Sequence, residues 1–489
     1  MSPVPEIRLT RLNRAPLNGR GDYVLYWMTA CRRLQWNFAL QRAAELAGDL
    51  NKPLVILEAL SCNYPWASDR FHGFVIDGMV DNASGTAGRN GVLYYPYLED
   101  RPGRGRGLLT TLAESACAVV TDDYPCFFLP RLARAAASRL RVCLEAVDSN
   151  GLLPMRAASR VFTTAHSFRI FLQKTLPDYW SALPSADPLR GLKVPGLKAW
   201  PGRVLQAWPP VPASELERGV VVTAGLPLDH GVGRVELRGG SVAGQRALED
   251  FLDRRLAGYV ELRNHPDEAA GSGLSPYLHF GHLSAHQIFH ELVMGQGWFP
   301  ERVAGRTSGR REGWWGLSAS SEAFLDQLIT WRELGFNFCL HRDDYDRYDS
   351  LPAWARETLE LHQADPRQYL YSPAELEAAA SHDRLWNAAQ NQLVRTGTMH
   401  NYLRMLWGKK ILEWTSGPEA ALEIMIELNN KYALDGRDPN SYSGIFWILG
   451  RYDRAWGPPR PVFGKVRYMS SANTARKVRL KDYLERFAP

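Results

Sequence analysis

Short apolar runs alternate with amphipathic stretches along the first third of the chain. Between the apolar runs DYVLYWM and PLVILEAL, the segment CRRLQWNFALQRAAELAGDL spaces its apolar residues at helical intervals. Pairs of the same kind follow in LLTTLAESACAVVTDDY and ASRLRVCLEAVDS. This alternation is typical of βαβ units, so we predict a Rossmann-like α/β domain over residues 1–183, with a parallel sheet covered by helices.

The pattern changes twice in the rest of the chain. Prolines and glycines accumulate over residues 184–240 with little sustained periodicity, which predicts an extended interdomain linker. Over residues 241–489, long helical patterns with few β-branched runs predict an all-α domain.

Composition places the chain among soluble globular proteins. Hydrophobic residues make up 45% of it and charged residues 22%. It has no long uninterrupted apolar run, and its N-terminus does not resemble a signal peptide. We therefore expect no membrane partner and a cytoplasmic protein, with a nucleus or an organelle as the alternative. The six cysteines form no CxxC pair, and we expect them to be small buried side chains.

Basic residues are concentrated at the C-terminal end. Residues 451–489 contain ten Lys or Arg against three acidic residues, whereas the whole chain carries a net charge of only +6. A bound polyanion would explain this surplus, and so would a solvated surface tail. No GxGxxG or GxxxxGK[ST] string occurs, so neither a nicotinamide-type fingerprint nor a P-loop is indicated.

Three residues of one predicted helix share a face. Gly397 breaks residues 383–415 into two helices, and Arg404, Trp407 and Trp414 follow at spacings of three and seven. Indoles two turns apart lie roughly 10 Å from each other, which suits stepwise electron transfer toward a buried acceptor. Arg404 could stabilise a reduced, anionic centre. The alternative is an aromatic core stripe beside an arginine.

A polar loop with a glycine follows the next predicted helix. That helix ends near Asn429, and the loop contains Asp435, which could pair with Arg404. The amide of Asn429 can donate or accept a hydrogen bond. An ordinary surface connection is the alternative for this loop.

Four histidines form a separate cluster in the sequence. They are His279, His282, His286 and His290, and the HxxxH spacing suggests a zinc site. We favour the interpretation that they line a pocket and a helix face, without a metal.

A set of motifs extends over nearly the whole chain. In chain order they are DYVLYWMTACRRLQWNFAL, EALSCNYPWASDRFHGFVIDGM, VVTDDYPCFFLP, SGLSPYLHFGHLSAHQI, WNAAQ, TGTMHNYLRMLWGKKILEWT, LDGRDPNSYSGIFW and FGKVRYM. Together they resemble the class II cyclobutane pyrimidine dimer photolyases of the photolyase/cryptochrome family. The resemblance implies a photolyase-type α/β domain joined by a long linker to an all-α domain that binds FAD.

The resemblance also assigns residues to the FAD site. Arg404 and Asp435 match the pair beside the isoalloxazine ring, and Asn429 matches the residue near its reactive nitrogen. The other cofactor positions are Tyr259, Ser272, Leu274, Ser275, Asn387, Gln390 and Asn401. The Ser-Pro start of a helix at residue 275 suits a diphosphate.

A catalytic relay and a DNA-contact surface are implied in the same way. Trp407, Trp386 and Trp414 match the relay that reduces the flavin in light, with Trp407 nearest the flavin. Trp331 and Trp447 match two indoles that flank a flipped-out dimer. The remaining substrate positions are Gln327 and the phosphate-contacting residues Arg454, Lys465 and Arg467.

Two positions depart from the family pattern. The family carries a glutamate four residues before Trp331, where this chain has Gln327 with Asp326 beside it. An amide can hydrogen-bond a thymine but offers no carboxyl group, so we expect slower repair. Tyr452 replaces the usual histidine, and the C-terminal ending also differs.

The implied activity is light-driven repair of cyclobutane pyrimidine dimers by a carbon–carbon lyase. Excited, reduced FAD donates an electron to the dimer, the ring opens and the electron returns. We expect double-stranded DNA containing dimers as the partner, a monomer, and no metal. The antenna chromophore, a deazaflavin or a folate if present, is left open. Two alternatives are a cryptochrome-like photoreceptor with little or no repair, favoured by Gln327 and the altered C-terminus, and a non-photochemical DNA-binding protein.

Overall fold

A six-stranded sheet lies at the centre of the first part of the chain. The computed structural model describes residues 3–488, apart from the side chains of Val220 and Val221. In the described residues the strands are β1 Leu9–Arg11, β2 Tyr23–Met28, β3 Leu54–Leu60, β4 Val92–Leu98, β5 Ala116–Asp122 and β6 Leu144–Val147. Their order is β1-β6-β5-β2-β3-β4. All neighbours pair in parallel except β1 and β6, which are antiparallel.

Both faces of this sheet are buried. Along β2, Val24 and Tyr26 belong to the apolar cluster on one face, whereas Tyr23 and Leu25 belong to the cluster on the other. Successive side chains of a strand point to opposite faces, so a strand that is apolar at every position needs cover on both sides. The predicted α/β architecture is confirmed.

Helices provide that cover and continue into the second part of the chain. The first twelve α-helices are α1 Phe38–Leu50, α2 Asp69–Thr86, α3 Leu108–Glu114, α4 Leu129–Arg139, α5 Ala165–Thr175, α6 Gly202–Ala207, α7 Ala213–Leu216, α8 Val220–Ala224, α9 Ser241–Asp250, α10 Tyr259–Leu262, α11 Ser275–His279 and α12 Ala285–Gly295. Local sequence sets the ends of α1: the Asn37 side chain accepts hydrogen bonds from two backbone N–H groups of the first turn, and Asn51 closes the helix in the left-handed conformation.

The stretch predicted as a linker, residues 184–240, is largely irregular and contains α6, α7 and α8. Buried apolar side chains anchor it: Val204 joins one apolar cluster of the sheet's unit, and Leu216 joins another. This segment therefore contributes to the core of the α/β unit.

The regular elements described in the C-terminal part of the chain are all helices, as predicted. Its helices are α13 Ala319–Leu325, α14 Arg332–His341, α15 Ala353–Leu361, α16 Pro373–Glu377, α17 Arg384–Thr396, α18 Asn401–Trp414, α19 Pro418–Tyr432, α20 Pro439–Ile448, α21 Ser471–Lys477 and α22 Lys481–Arg486. Asp383 caps α17 by accepting from the N–H groups of Leu385 and Trp386, and Gly397 ends it at φ 69°. This confirms the predicted break between α17 and α18.

Helix α20 lies between α14 and α18, and a glycine permits each contact. A Cβ on Gly335 of α14 would come within 2.9 Å of the backbone of Asn440. A Cβ on Gly408 of α18 would clash with the side chain of Ile448. A side chain at position 335 would therefore push α14 and α20 apart, whereas one at position 408 would force the side chains of Ile448 and Met425 to move.

The chain divides by packing into two compact units. One contains residues 1–157, 176–248 and 274–291, and the other contains residues 158–175, 249–273 and 292–489. The predicted domains are continuous stretches, whereas these units are not. Residues 158–175 belong with the helical unit because Arg169 of α5 forms a buried ion pair with Asp326. The domain boundaries drawn from sequence remain predictions.

Two further observations bear on the sequence predictions. All six cysteines are buried, which confirms the interpretation that they are small apolar residues. No helix within residues 3–488 has the length and apolarity needed to cross a membrane.

Candidate active site

An ion pair joins the start of α18 to the loop after α19. Nη2 of Arg404 donates to Oδ1 of Asp435 at 3.0 Å, and both side chains are largely buried. This confirms the pair expected from the sequence. Because the pair is largely shielded from solvent, the carboxylate holds the guanidinium in one place, where it can stabilise nearby negative charge.

Asn429 lies close to this pair in sequence and is buried. Its Nδ2 donates to Oγ of Ser441 on α20 at 2.7 Å, so its orientation is fixed by the neighbouring helix. Among the described residues no group donates to its Oδ1, which leaves an acceptor for another molecule.

Three indoles are packed into one buried group. Trp407, Trp386 and Trp414 are each at most 2% exposed. Nε1 of Trp386 donates to the backbone carbonyl of Trp407 at 2.9 Å, and the ring of Trp386 meets that of Trp414 with centroids 5.6 Å apart. Trp386 of α17 therefore bridges the two tryptophans of α18. The sequence placed two indoles on one helix face, and the structure adds how the third joins them.

Two amides predicted for the cofactor pocket have other partners. Oε1 of Gln390 accepts from Nε1 of Trp407 at 2.9 Å, so Gln390 fixes that indole. The Asn387 amide is bonded on both sides to Ser381, at the start of α17. Direct contact of either residue with a cofactor stays a prediction.

Tyr259 opens α10 in a setting rich in buried nitrogen atoms. The guanidinium of Arg263 lies over its ring at 5.3 Å, and burial raises the pKa of Tyr259. Nε of Arg263, Nε of Arg255 and Nδ1 of His400 have no hydrogen-bond partner in the described part of the chain. Burial lowers the pKa of His400 to about 4, so this ring is neutral at pH 7. Buried polar atoms of this kind require a partner, and they fit an anionic, oxygen-rich group such as FAD.

The remaining cofactor candidates fall in different places. Ser272 belongs to the helical unit, whereas Leu274 and Ser275 belong to the α/β unit. Ser275 begins α11 with a proline in the first turn, as the sequence predicted. Asn401 is exposed at the start of α18 and lines a cavity of about 750 Å³ together with Trp447.

Two indoles stack face to face at the surface of the helical unit. The rings of Trp331 and Trp447 have centroids 4.5 Å apart and planes inclined by 17°. Both line a second cavity of about 650 Å³. The structure thus brings together the two residues assigned to the dimer.

A buried ion pair holds one of these indoles. Asp326 and Trp331 are the first and last residues of a π-helical turn, and Nε1 of Trp331 donates to Oδ2 of Asp326 at 3.1 Å. Arg169 donates hydrogen bonds to both oxygens of the same carboxylate, at 2.8 and 3.1 Å. Sequence reasoning missed Arg169, because its partner lies far along the chain.

No neighbouring carboxylate compensates for the neutral residue at position 327. The carboxylate of Asp326 is committed to Arg169 and Trp331, so it cannot replace the expected glutamate. The side chain of Gln327 is half-buried and makes no hydrogen bond within the described residues, which leaves it available to a ligand.

A buried lysine, also missed by the sequence analysis, holds the end of α20. Lys409 of α18 is fully buried, and its Nζ donates to the backbone carbonyl of Ile448. Burial lowers the pKa of Lys409 to about 7; Asp453 opposes this shift and Arg467 adds to it. The lysine thereby fixes the backbone beside Trp447.

The predicted phosphate contacts surround an exposed tryptophan. Arg454 and Arg467 lie over the ring of Trp456 at 4.9 and 4.8 Å, and Arg467 also pairs with Asp453 at 3.2 Å. Lys465 is exposed and has no ion pair among the described residues. Their contact with DNA stays a prediction.

Tyr452, the residue at the unusual position, is buried and packs edge-on against Phe338. It also lines the cavity of about 650 Å³ beside the two indoles. Tyr452 therefore forms part of the wall of this cavity.

The four histidines of the HxxxH cluster each pack against an aromatic ring: Phe280 for His279 and His282, Phe38 for His286, and Trp36 for His290. His282 accepts from the N–H of Gly240 at 2.9 Å. In the part of the chain that the structure describes, no group of three or more His, Cys, Asp or Glu side chains could hold a metal ion.

Similarity to known proteins extends over the whole chain, although no family model matches it. The chain is 37% identical over 481 residues to the deoxyribodipyrimidine photo-lyase of Methanothermobacter thermautotrophicus, covering 98% of this chain and 97% of that protein. It is 34% identical to the enzyme of the same name from Arabidopsis thaliana, over 96% of this chain and 89% of the relative.

Solved structures support the same fold. A class III photolyase from Agrobacterium tumefaciens superposes with a TM-score of 0.67 at 17% identity, over 96% of this chain and 86% of that one. A cryptochrome from Synechocystis superposes with a TM-score of 0.65 at 15% identity, over 100% and 90%. At these identities the likeness concerns the fold alone.

Proposed function

Because the chain belongs to the deoxyribodipyrimidine photo-lyase family, we propose that it repairs cyclobutane pyrimidine dimers in DNA by light-driven electron transfer from FAD. The observation that carries this proposal is the stacked pair of Trp331 and Trp447 beside two cavities of the helical unit. Aromatic faces at a cavity mouth are suited to bases that have left the duplex.

The residues of the helical unit support FAD binding. When bound, reduced FAD supplies a light-excited donor of one electron to the cyclobutane ring. Arg404, held by Asp435, offers a fixed positive charge for an electron-rich ring system. Arg255 and Arg263 offer buried guanidinium nitrogens to phosphate or sugar oxygens, and Asn429 offers its carboxamide oxygen.

The three packed indoles support a path for electrons into this site. Trp407, Trp386 and Trp414 are buried and in hydrogen-bond or ring contact, so an electron can pass between neighbours without crossing water. Gln390 holds Trp407 in one orientation. We assign this group to reducing the oxidised cofactor, a step separate from repair.

The substrate surface supplies position and charge rather than acid–base chemistry. The anchored Trp331 and the adjacent Trp447 offer apolar faces to a flipped dimer, and Gln327 offers an amide to a thymine carbonyl or imide. Arg454, Lys465 and Arg467 offer charge to phosphates, which bind independently of sequence.

The α/β unit is our proposed location for an antenna chromophore, a deazaflavin or a folate. A cavity of about 370 Å³ in this unit is lined mainly by aliphatic and small residues, and Trp27, Tyr97 and Arg106 also line it. We further propose that the protein acts as a monomer in the cytoplasm, or in a DNA-containing organelle or nucleus if the source is eukaryotic. Size-exclusion chromatography with light scattering tests the monomer.

One assay tests the main proposal. The purified protein is examined for flavin absorbance and reduced, and the loss of thymine dimers from a duplex is then followed under blue light, with a dark control. We expect loss only in light, and we expect Trp331→Ala to retain the flavin while losing affinity for the dimer. A flavin-containing protein that leaves dimers intact in light would overturn the repair proposal and support the photoreceptor alternative that Gln327 suggests.

A further inference from the structure

The segment of residues 305–316, here called the 305–316 loop, contains a second set of basic residues close to the indole pair. Its sequence is GRTSGRREGWWG, and Arg310, Arg311 and Glu312 are exposed. Neither guanidinium makes an ion pair or hydrogen bond within the described residues. These charges lie far from the basic C-terminal segment in sequence, and the sequence analysis did not assign them.

The backbone of the loop is firmly held on its N-terminal side by α5. Oε1 of Gln173 accepts from the N–H groups of Ser308 and Gly309, at 3.2 and 2.8 Å. The carbonyl of Gly309 accepts from Arg169 at 3.3 Å, and that of Arg310 accepts from Gln173 at 3.1 Å. Gly309 itself has φ 68°, a conformation that glycine adopts without strain.

The C-terminal side of the loop is held equally well. Glu322, buried on α13, accepts from the N–H groups of Gly313 and Leu317. Trp314 and Trp315 are buried, and the carbonyl of Trp315 accepts from Nε1 of Trp298 at 2.7 Å. The two arginines are thus displayed from a backbone whose position is set in advance, which lowers the entropic cost of binding through them.

Residues of the 305–316 loop and of the C-terminal segment line the same two cavities. Three side chains line both the cavity of about 750 Å³ and that of about 650 Å³: Arg311, Trp447 and Arg467. Arg310 lines the second cavity with them. Arg467 is partly neutralised by Asp453, whereas Arg311 has no acidic partner in the described part of the chain.

From this arrangement we infer that the 305–316 loop is a second DNA-backbone-binding element, in which Arg310 and Arg311 contact phosphates beside the flipped nucleotides. The inference rests on the proposed function. A guanidinium displayed next to an aromatic pair matches a phosphate flanking an extruded base, because the phosphate follows the base along one strand. With the C-terminal arginines, the loop would hold the backbone at two positions around Trp447.

The salt dependence of binding tests this inference. The affinity of the reduced protein for a dimer-containing duplex is measured in the dark at several KCl concentrations, for the wild type and for Arg311→Gln and Arg310→Gln/Arg311→Gln. Each lost phosphate contact lowers the slope of log K against log [KCl] by about 0.9, so the double variant is expected to lose about 1.8. We expect roughly tenfold weaker binding of a dimer-containing duplex for Arg311→Gln, by the same factor whatever bases flank the dimer.

Arg306→Gln is the matched control, because Arg306 is an exposed arginine of the same loop that lines neither cavity. It should leave the slope unchanged, and Glu312→Gln should strengthen binding. An unchanged slope in the double variant, or an equal change in Arg306→Gln, overturns the inference. If instead the wild type neither prefers nor repairs dimer-containing DNA in light, the proposed function itself has failed. Flavin absorbance of every variant reports whether the helical unit is folded.

Discussion

Replacing Asp326 by asparagine tests whether the buried ion pair of Asp326 and Arg169 holds Trp331 in position. The side chain of Asp326 is 7% exposed, and its carboxylate accepts from Arg169 at 2.8 and 3.1 Å and from the Trp331 indole at 3.1 Å. Asparagine keeps the size of the side chain but removes the charge and turns one acceptor into a donor. Asp326 is a better target than Arg169, because Arg169 also donates to the carbonyl of Gly309.

The expected magnitude follows from the burial of both partners. Removing one charge of a buried pair leaves the other without compensation, which costs about 3–5 kcal/mol. The bond from Arg169 to Gly309 remains, so we expect a loss near the lower end, about 3 kcal/mol. Replacing both charges, in Asp326→Leu/Arg169→Met, should lower the free energy of unfolding less than Asp326→Asn alone, since no unpaired charge remains.

Binding provides a readout that general destabilisation does not share. The charged Arg169 is expected to take the single acceptor oxygen of the asparagine, so the indole hydrogen bond is lost. This loss should weaken affinity for a dimer-containing duplex about tenfold, equivalent to about 1.4 kcal/mol. In a Trp331→Phe background, which has no indole N–H, the same Asp326→Asn change should have no further effect on affinity. Urea unfolding followed by circular dichroism gives the stability, and dark titration at 25 °C gives the affinity.

Two results would refute this reasoning. A stability loss below about 1 kcal/mol would show that the pair is solvated enough to be replaced at little cost. An equal loss of affinity in the wild-type and Trp331→Phe backgrounds would show that Asp326 does not act through the indole.

Three further predictions follow from the site and from the α/β unit. Trp407→Phe should slow light-driven reduction of the oxidised flavin while sparing repair by chemically reduced protein; equal losses in absorbance-monitored photoreduction and in repair would show that the relay is misassigned. Gln327→Glu should raise the repair yield per absorbed photon, and an unchanged yield would mean that the amide suffices. Burial lowers the pKa of His282 from 6.5 to about 3, so below pH 6.5 the unfolded chain binds a proton that the folded chain does not. The free energy of unfolding should therefore fall by up to about 1.4 kcal/mol per pH unit between pH 6.5 and 3. In urea titrations, His282→Asn should flatten this pH dependence.

The strands show where sequence patterns suffice and where they do not. The apolar runs that became β2, β3 and β5 are visible because parallel strands buried on both faces are apolar throughout. Strand β4, Val92–Leu98, was missed, and it contains Pro96. Proline disfavours a central strand, but β4 is at the edge of the sheet, where one side of its backbone has no strand partner.

Charge suggested the pair of Arg404 and Asp435 and the family resemblance implied it, but the contact between Asp326 and Trp331 did not follow from helical spacing. Residues five apart lie on different faces of an α-helix. In the structure they are joined by a π-helical turn, whose wider winding brings positions i and i+5 together. No pattern of apolar residues predicts a π-helical turn, so this contact could be found only in the structure.

The burial of Lys409 could not be predicted from the sequence either, since two adjacent lysines in a helix normally indicate a solvated face. Its burial results from the close packing of α18 on α20 at Gly408, which is a property of the assembled helices. The consequence concerns the whole site: α18 carries Arg404 and Trp407, whereas α20 carries Trp447, and the bond from Lys409 to Ile448 joins the two helices one residue from that indole. Trp331 is fixed through its ring, by Asp326, whereas Trp447 is fixed through its backbone and its indole N–H makes no hydrogen bond in the described residues. Of the two stacked rings, that of Trp331 is therefore oriented by a hydrogen bond of its own, whereas that of Trp447 is oriented by stacking and by its backbone.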